Sequence, residues 1–352
     1  MNLDEKIGQL IVAAGTGEEL LELVQRYHLG GVIWFQSTAA ETASWNARLQ
    51  NASKVPLLIS ADLESGMGMR FTDATWYPWP MAIAATGDPS LAEAVGRATA
   101  REALSIGVNH IYAPVADVNV DPDNPVINTR SFGEDPSVVA TFVTAFIRGV
   151  QSEGALATAK HFPGHGDTHV DSHRSLPVLD VSRSRLDAVE LLPFRAAIAA
   201  GVASVMVGHL SVPSVDSVPA TISSRVVDGL LRHELGFEGL VVTDAFNMGG
   251  ITEVLPPDEA VVRAIEAGID QIVMPVDVPA AIAAIRARVP ESRIDLSVAR
   301  ILAAKQNVGP ALQPAPSSLA LAEEVAQRAI TLVRGRPLPR PQTIACAIIS
   351  EY

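Results

Sequence analysis

Along the chain, short runs of Val, Ile, Leu and Ala alternate about eight times with longer segments of helical spacing. The apolar runs are Gln9 to Ala14, Gly31 to Phe35, Pro56 to Ala61, His110 to Val115, Ala155 to Ala159, Ala203 to Gly208, Leu240 to Thr243 and Gln271 to Met274. Each is brief and almost wholly apolar, the pattern of a strand covered on both faces, as in a parallel sheet. Between them, helical spacing predicts Glu18 to Tyr27, Ala39 to Ala52, Ser90 to Ser105, Pro136 to Ser152, Ser184 to Ala200, Ser223 to Leu235, Asp258 to Ala267 and Pro279 to Arg288. Eight such units in about 290 residues fit an α/β fold of the (β/α)8 TIM-type barrel. A doubly wound open sheet is the structural rival, but no Gly-x-Gly-x-x-Gly turn follows the first strand.

The pattern changes after a further predicted helix, Ser292 to Asn307, where Pro310, Pro314 and Pro316 mark a linker. The catalytic barrel is therefore expected over residues 1–310. Residues 311–352 read as linker, a helix from Leu319 to Val333 and a strand-like Thr343 to Ser350. A lone strand has no partner in a closed barrel, so this short C-terminal stub resembles the start of a truncated second α/β domain. A tail packed on the barrel exterior is the alternative.

Composition narrows the function. Of 352 residues, 48% are hydrophobic and 18% charged, enough for a large core. A net charge of −13 argues against a general nucleic-acid partner. Cys346 is the single cysteine, so no intramolecular disulfide and no cysteine metal cluster can form. The start carries Asp4, Glu5 and Lys6 rather than the basic head of a signal peptide, and no apolar run approaches a membrane span. The expectation is a cytoplasmic protein with no membrane partner; oligomeric state is not legible.

In barrels the active site lies at the carboxyl ends of the strands, and five of the predicted strands end on polar residues. These are Asp62, Asp117, Lys160 with His161, His209 and Asp244. A buried charge without a partner costs several kcal/mol, so five such placements point to a site, although each alone would serve as a structural ion pair. The stretch Lys160 to His173, KHFPGHGDTHVDSH, holds His161, His165, His169 and His173 with Asp167 and Asp171. Pro163, Gly164 and Gly166 exclude a regular helix there, so the spacing gives zinc ligation little support, and neither metal nor cofactor is expected. Acid/base chemistry is the other reading: histidine titrates near pH ~6.5, and Asp171 stands where it can hold His173 in one tautomer.

KHFPGHGDTHVDSH resembles the signature of the family 3 glycoside hydrolases, in the β-N-acetylglucosaminidase branch. The likeness extends to LDEKIGQLIV at the start, LGGVIWF, DLESGMGMR from Asp62 to Arg70, NTRSFGEDP around Arg130 and VVTDAFNMGGI around Asp244. It implies a retaining glycosidase that releases terminal non-reducing β-linked N-acetylglucosamine from cell-wall muropeptides or chitin fragments, in peptidoglycan recycling. By the same resemblance Asp244 is the nucleophile, His173 the acid/base oriented by Asp171, and Asp62, Arg70, Arg130, Lys160 and His161 hold sugar hydroxyls. His165, Asp167 and His169 are left to order the loop. DLESGMGMR departs from the more Gly-rich DQEGGRVQR-like form of many relatives, while Asp62, Glu64, Gly66 and Arg70 keep their spacing. Trp76 to Pro80 adds aromatic surface that either stacks on a sugar or caps the barrel.

Using histidine as proton donor avoids a second carboxylate beside the nucleophile. Phosphorolysis or β-glucoside hydrolysis on the same fold are the near alternatives. A metal-dependent hydrolase and a non-catalytic sugar-binding protein are the distant ones. All the named groups fall within the eight units, so the tail from Leu319 onward is expected to be dispensable for catalysis.

Overall fold

A computed structural model describes residues 1–310, 312 and 318–331. Eight parallel strands run β1 Ile11–Ala13, β2 Gly31–Ile33, β3 Leu58–Ala61, β4 His110–Ile111, β5 Leu156–Phe162, β6 Ser204–Val207, β7 Leu240–Thr243 and β8 Ile272–Val273. Each pairs with its sequence neighbour from β1 to β7, and β1 also pairs with β8. A single parallel bridge between Val242 and Gln271 brings β7 to β8, so the sheet curls into a nearly closed (β/α)8 barrel.

All eight predicted strands are present, most of them shorter than the apolar runs that announce them. Ile11, Ile59, Ile111, Val205, Val241 and Ile272 are inaccessible to solvent, because the barrel interior covers one face of each strand and the helices cover the other. Burial of each such side chain contributes about 1.5–3 kcal/mol. One strand runs longer than its apolar run: β5 extends through Lys160 and His161 to Phe162, so these two polar residues belong to the strand and not to the loop behind it.

The helices follow the predicted segments closely, with one division. The segment Ser184 to Ala200 forms two helices, Arg183–Ala188 and Leu191–Ala199. Between them lies Glu190, buried and accepting from Arg185 Nη2 at 2.9 Å. Pro193 stands in the first turn of the second helix, where the missing N–H is tolerated. The chain's start adds a short helix, Leu3–Gln9, closed by a capping box between Asn2 and Glu5.

Beyond the linker, Leu319–Arg328 is helical, shorter than the expected Leu319 to Val333. Its buried Ala322 and Val325 face the helices Pro80–Ala85 and Pro89–Ser105, and Arg328 pairs with Asp88 at 2.8 Å. This tail helix thus packs on the barrel exterior. The strand-like Thr343 to Ser350 lies outside the described residues.

Candidate active site

The polar ends of the strands converge on a cleft of about 380 Å³ at the carboxyl-terminal mouth of the barrel. Its walls include Asp62, Arg70, Arg130, Lys160, His161, His173 and Asp244, residues drawn from four of the eight units.

The floor is an ion-pair lattice. Lys160, 1% exposed, donates through Nζ to Asp62 Oδ1 at 2.7 Å and lies 2.7 Å from Glu64 Oε1. Asp62 Oδ2 accepts from Arg70 Nη2 at 2.7 Å. Glu64 receives Arg130 in a bidentate pair, Nε to Oε2 at 2.8 Å and Nη2 to Oε1 at 2.7 Å. Burial alone would raise both carboxyls, but the adjoining cations outweigh it: Lys160 and Arg70 hold Asp62 below the usual carboxylate range, and Arg130 and Lys160 do the same for Glu64. Burial likewise opposes the charge on Lys160, and Asp62 and Glu64 reverse that effect and raise its pKa. The floor is therefore fully ionised and rigid, with its polar atoms fixed before any ligand arrives.

Glu64 is the member that the sequence reading left out of the site. It lies within the quoted DLESGMGMR motif, yet nothing in that motif shows that its carboxylate turns inward to meet cations 66 and 96 positions further along the chain. In the sequence Asp117 shows itself only as a strand end. It binds His161 Nδ1 at 2.7 Å and accepts from the backbone N–H groups of His161 at 3.2 Å and His165 at 2.7 Å, so it fixes the bend where β5 leaves the barrel.

Asp244 follows β7 directly. Its backbone N–H donates to the Val207 carbonyl at 3.0 Å, and its Oδ1 accepts from the Ala245 N–H at 2.8 Å. Burial pushes the carboxyl up, but His161, His209, the Ala245 N–H and Lys160 overcome it and keep Asp244 ionised below its ordinary range. His209 braces this turn: Nε2 donates to the Ala245 carbonyl at 3.0 Å and Nδ1 meets Thr221 Oγ1 at 2.8 Å.

His173 stands at the rim, its side chain 61% exposed. Asp171 Oδ1 accepts from the backbone N–H of His173 at 2.9 Å and lies 2.7 Å from its Nδ1, which leaves Nε2 free of that bond. Although partial burial raises the Asp171 carboxyl, the two His173 donors lower it further, so it remains an anion beside the imidazole. The remaining loop histidines are held apart. His165 is buried between Thr168 Oγ1 at 2.7 Å and Ser172 Oγ at 3.0 Å, and His169 meets Asp121 at 2.7 Å. Asp167 pairs with Arg185 at 3.2 Å. Among the described residues no group of three or more His, Cys, Asp or Glu side chains is arranged to hold a metal ion.

The loop after β5 docks on the turn after β7. Gly249 N–H donates to the His173 carbonyl at 3.1 Å and Gly250 N–H to the Ser172 carbonyl at 3.0 Å. A Cβ on Gly249 would stand 2.1 Å from the Arg174 carbonyl oxygen, so the close approach requires glycine.

A parallel barrel whose mouth sets a half-buried carboxylate and a carboxylate-supported histidine on one charged cleft has the groups that a barrel of the glycosidase class needs. Residues 2–304 match the Glycosyl hydrolase family 3 N terminal domain, and the chain belongs to that family. It is 37% identical, over 97% of its length, to a β-N-acetylglucosaminidase/β-glucosidase of Cellulomonas fimi, of which it covers 66%. Its fold superposes with a TM-score of 0.91 on a family 3 β-N-acetylglucosaminidase of Paenibacillus sp. str. FPU-7, at 39% identity, covering 96% of this chain and 70% of that one. A β-glucoside phosphorylase is also similar, with a TM-score of 0.90 and 32% identity over 95% of this chain and 66% of its own. The chain thus spans about two thirds of the length of these relatives.

Proposed function

We propose that this site releases terminal non-reducing β-linked N-acetylglucosamine with retention. One observation carries the reading: Asp244 and His173 border the same cleft, above a floor of fixed charges suited to sugar hydroxyls. Asp244 attacks the anomeric carbon as His173 protonates the leaving oxygen, giving a glycosyl-enzyme. His173 then takes a proton from the incoming water, which attacks the same carbon and releases Asp244. Asp62, Arg70, Arg130, Lys160 and His161 bind the sugar, and Glu64 aligns Arg130 and Lys160. Asp171 steadies the imidazolium formed in the second half of the cycle.

The substrate source follows the resemblance: cell-wall muropeptides or chitin fragments, in the setting of peptidoglycan recycling. Comparing aryl β-N-acetylglucosaminide with aryl β-glucoside on purified protein tests the reading. A preference for the glucoside overturns the assignment of the sugar. A second reading, phosphorolysis, is favoured by the donor being an imidazole, since a neutral ring at the rim repels an incoming phosphate less than a carboxylate would. A sugar 1-phosphate formed only when phosphate is present decides for it.

A further inference from the structure

The turn from Glu64 to Arg70, which carries two of the five members of the ion-pair floor, is clamped from behind by a second segment. Thr75 carbonyl accepts from the Gly68 N–H at 2.7 Å, and the Tyr77 N–H donates to the Ser65 carbonyl at 2.8 Å. Thr75 is held in turn by Glu102 on the helix Pro89–Ser105. The Thr75 hydroxyl donates to Glu102 Oε1 at 2.8 Å and its N–H lies 3.4 Å from Oε2. Glu102 is 8% exposed.

The same carboxylate faces the backbone N–H and hydroxyl of Ser318, the residue that begins the tail helix Leu319–Arg328. Ser318 makes no capping bond of its own to that helix. An anion at this end interacts favourably with the helix dipole and with its unpaired N–H groups. Glu102 thus supplies from a neighbouring helix what the tail helix lacks locally.

We infer that Glu102 is a positioning residue that ties the docking of the tail helix to the geometry of the sugar-binding turn. The connection runs from Ser318 to Glu102, to Thr75, to Gly68 and Arg70, and finally to Asp62. When the tail helix is seated, Glu102 is fenced from water and holds Thr75; when it leaves, water competes for the carboxylate and the turn loosens. This reverses the expectation that the tail from Leu319 onward is dispensable. It rests on the sugar-binding reading only for its kinetic arm.

The test uses the full chain with Glu102→Ala, Glu102→Gln and Val325→Asp, the last of which places a charge in the tail helix's buried face. Glu102→Ala and Val325→Asp should raise KM for an aryl β-N-acetylglucosaminide about tenfold while kcat stays within about threefold. Amide exchange across residues 65–77 should quicken in both. Glu102→Gln keeps an acceptor for the Thr75 hydroxyl and should restore most of the KM. A merely structural role would lower the folded fraction and leave KM and exchange of the folded protein unchanged. Wild-type KM and wild-type exchange in any folded Val325→Asp or Glu102→Ala protein overturn the inference; should both misfold, Thr75→Val, which removes the hydroxyl that Glu102 holds, takes their place with the same expected and overturning results. If the wild type fails to act on the glycoside, the sugar reading falls, while the exchange arm still decides the coupling.

Discussion

Gly249 donates its N–H to the carbonyl of His173, so the turn that presents the carboxylate of Asp244 also holds the loop that presents the imidazole. The two groups proposed to react come from different strands and are nonetheless mechanically joined. Gly249→Ala forces the two backbones apart, because its Cβ would meet the Arg174 oxygen at 2.1 Å. The expected outcome is about a 10²-fold loss of kcat/KM on a disaccharide, with the fold intact by circular dichroism. Activity within a few-fold of wild type would show that the loop finds its place without this contact.

Asp244→Asn should abolish glycosyl-enzyme formation, because the amide has the same shape and is a poor nucleophile. A fluorinated N-acetylglucosaminide should label Asp244, as identified by peptide mass spectrometry. A label on any other carboxylate moves the nucleophile.

His173→Ala should lose roughly 10²- to 10⁴-fold on a disaccharide and far less in the glycosylation step with a dinitrophenyl glycoside, whose leaving group departs unprotonated. Asp171→Ala should show the same pattern more mildly. Equal losses on the two substrates would remove His173 from the acid role.

Glu64→Ala leaves Arg130 and Lys160 short of an anion, and breaking a buried pair costs about 3–5 kcal/mol. Denaturant unfolding should register much of that loss, and KM should rise because both cations drift. An unchanged unfolding midpoint would show that Asp62 alone satisfies Lys160.

Burial, with the neighbouring His161, pushes His165 down from 6.5 to about 4. The folded protein therefore binds its proton later than the unfolded chain does, so this stability is present above pH 6.5 and is lost as pH falls toward about 4. Between about pH 7 and about pH 5 the loss from this one group is about 2 kcal/mol. Chemical denaturation of His165→Asn at the two pH values should show a correspondingly smaller drop, and an unchanged drop would assign the acid sensitivity to His110 or His209.

The strands were legible because a strand covered on both faces can only be apolar, and runs such as Leu240 to Thr243 bear no other pattern. Their polar ends were legible for the converse reason. Glu64, Asp117 and His209 were harder, since their roles consist of partners distant in sequence: Arg130, His161 and Ala245. The break at Glu190 leaves no mark in the pattern, because helical spacing continues through it and the buried pair with Arg185 exists only once the two helices have turned. Asp62 and Asp244 showed themselves where the chain leaves an apolar strand; Glu64 lies two residues beyond that signal.

The floor lattice also bears on what happens after the first half-reaction. Arg70, Arg130 and Lys160 stand among Asp62, Glu64, Asp117 and Asp244, each cation already matched to an anion, so an uncharged sugar enters without displacing a counter-ion. In the proposed cycle, esterification of Asp244 cancels one anion and leaves the others in place. For the lifetime of that proposed intermediate the pocket carries one negative charge fewer. In that cycle the second acceptor is drawn toward the pocket in proportion to its own negative character, and an anion gains more from that moment than water does.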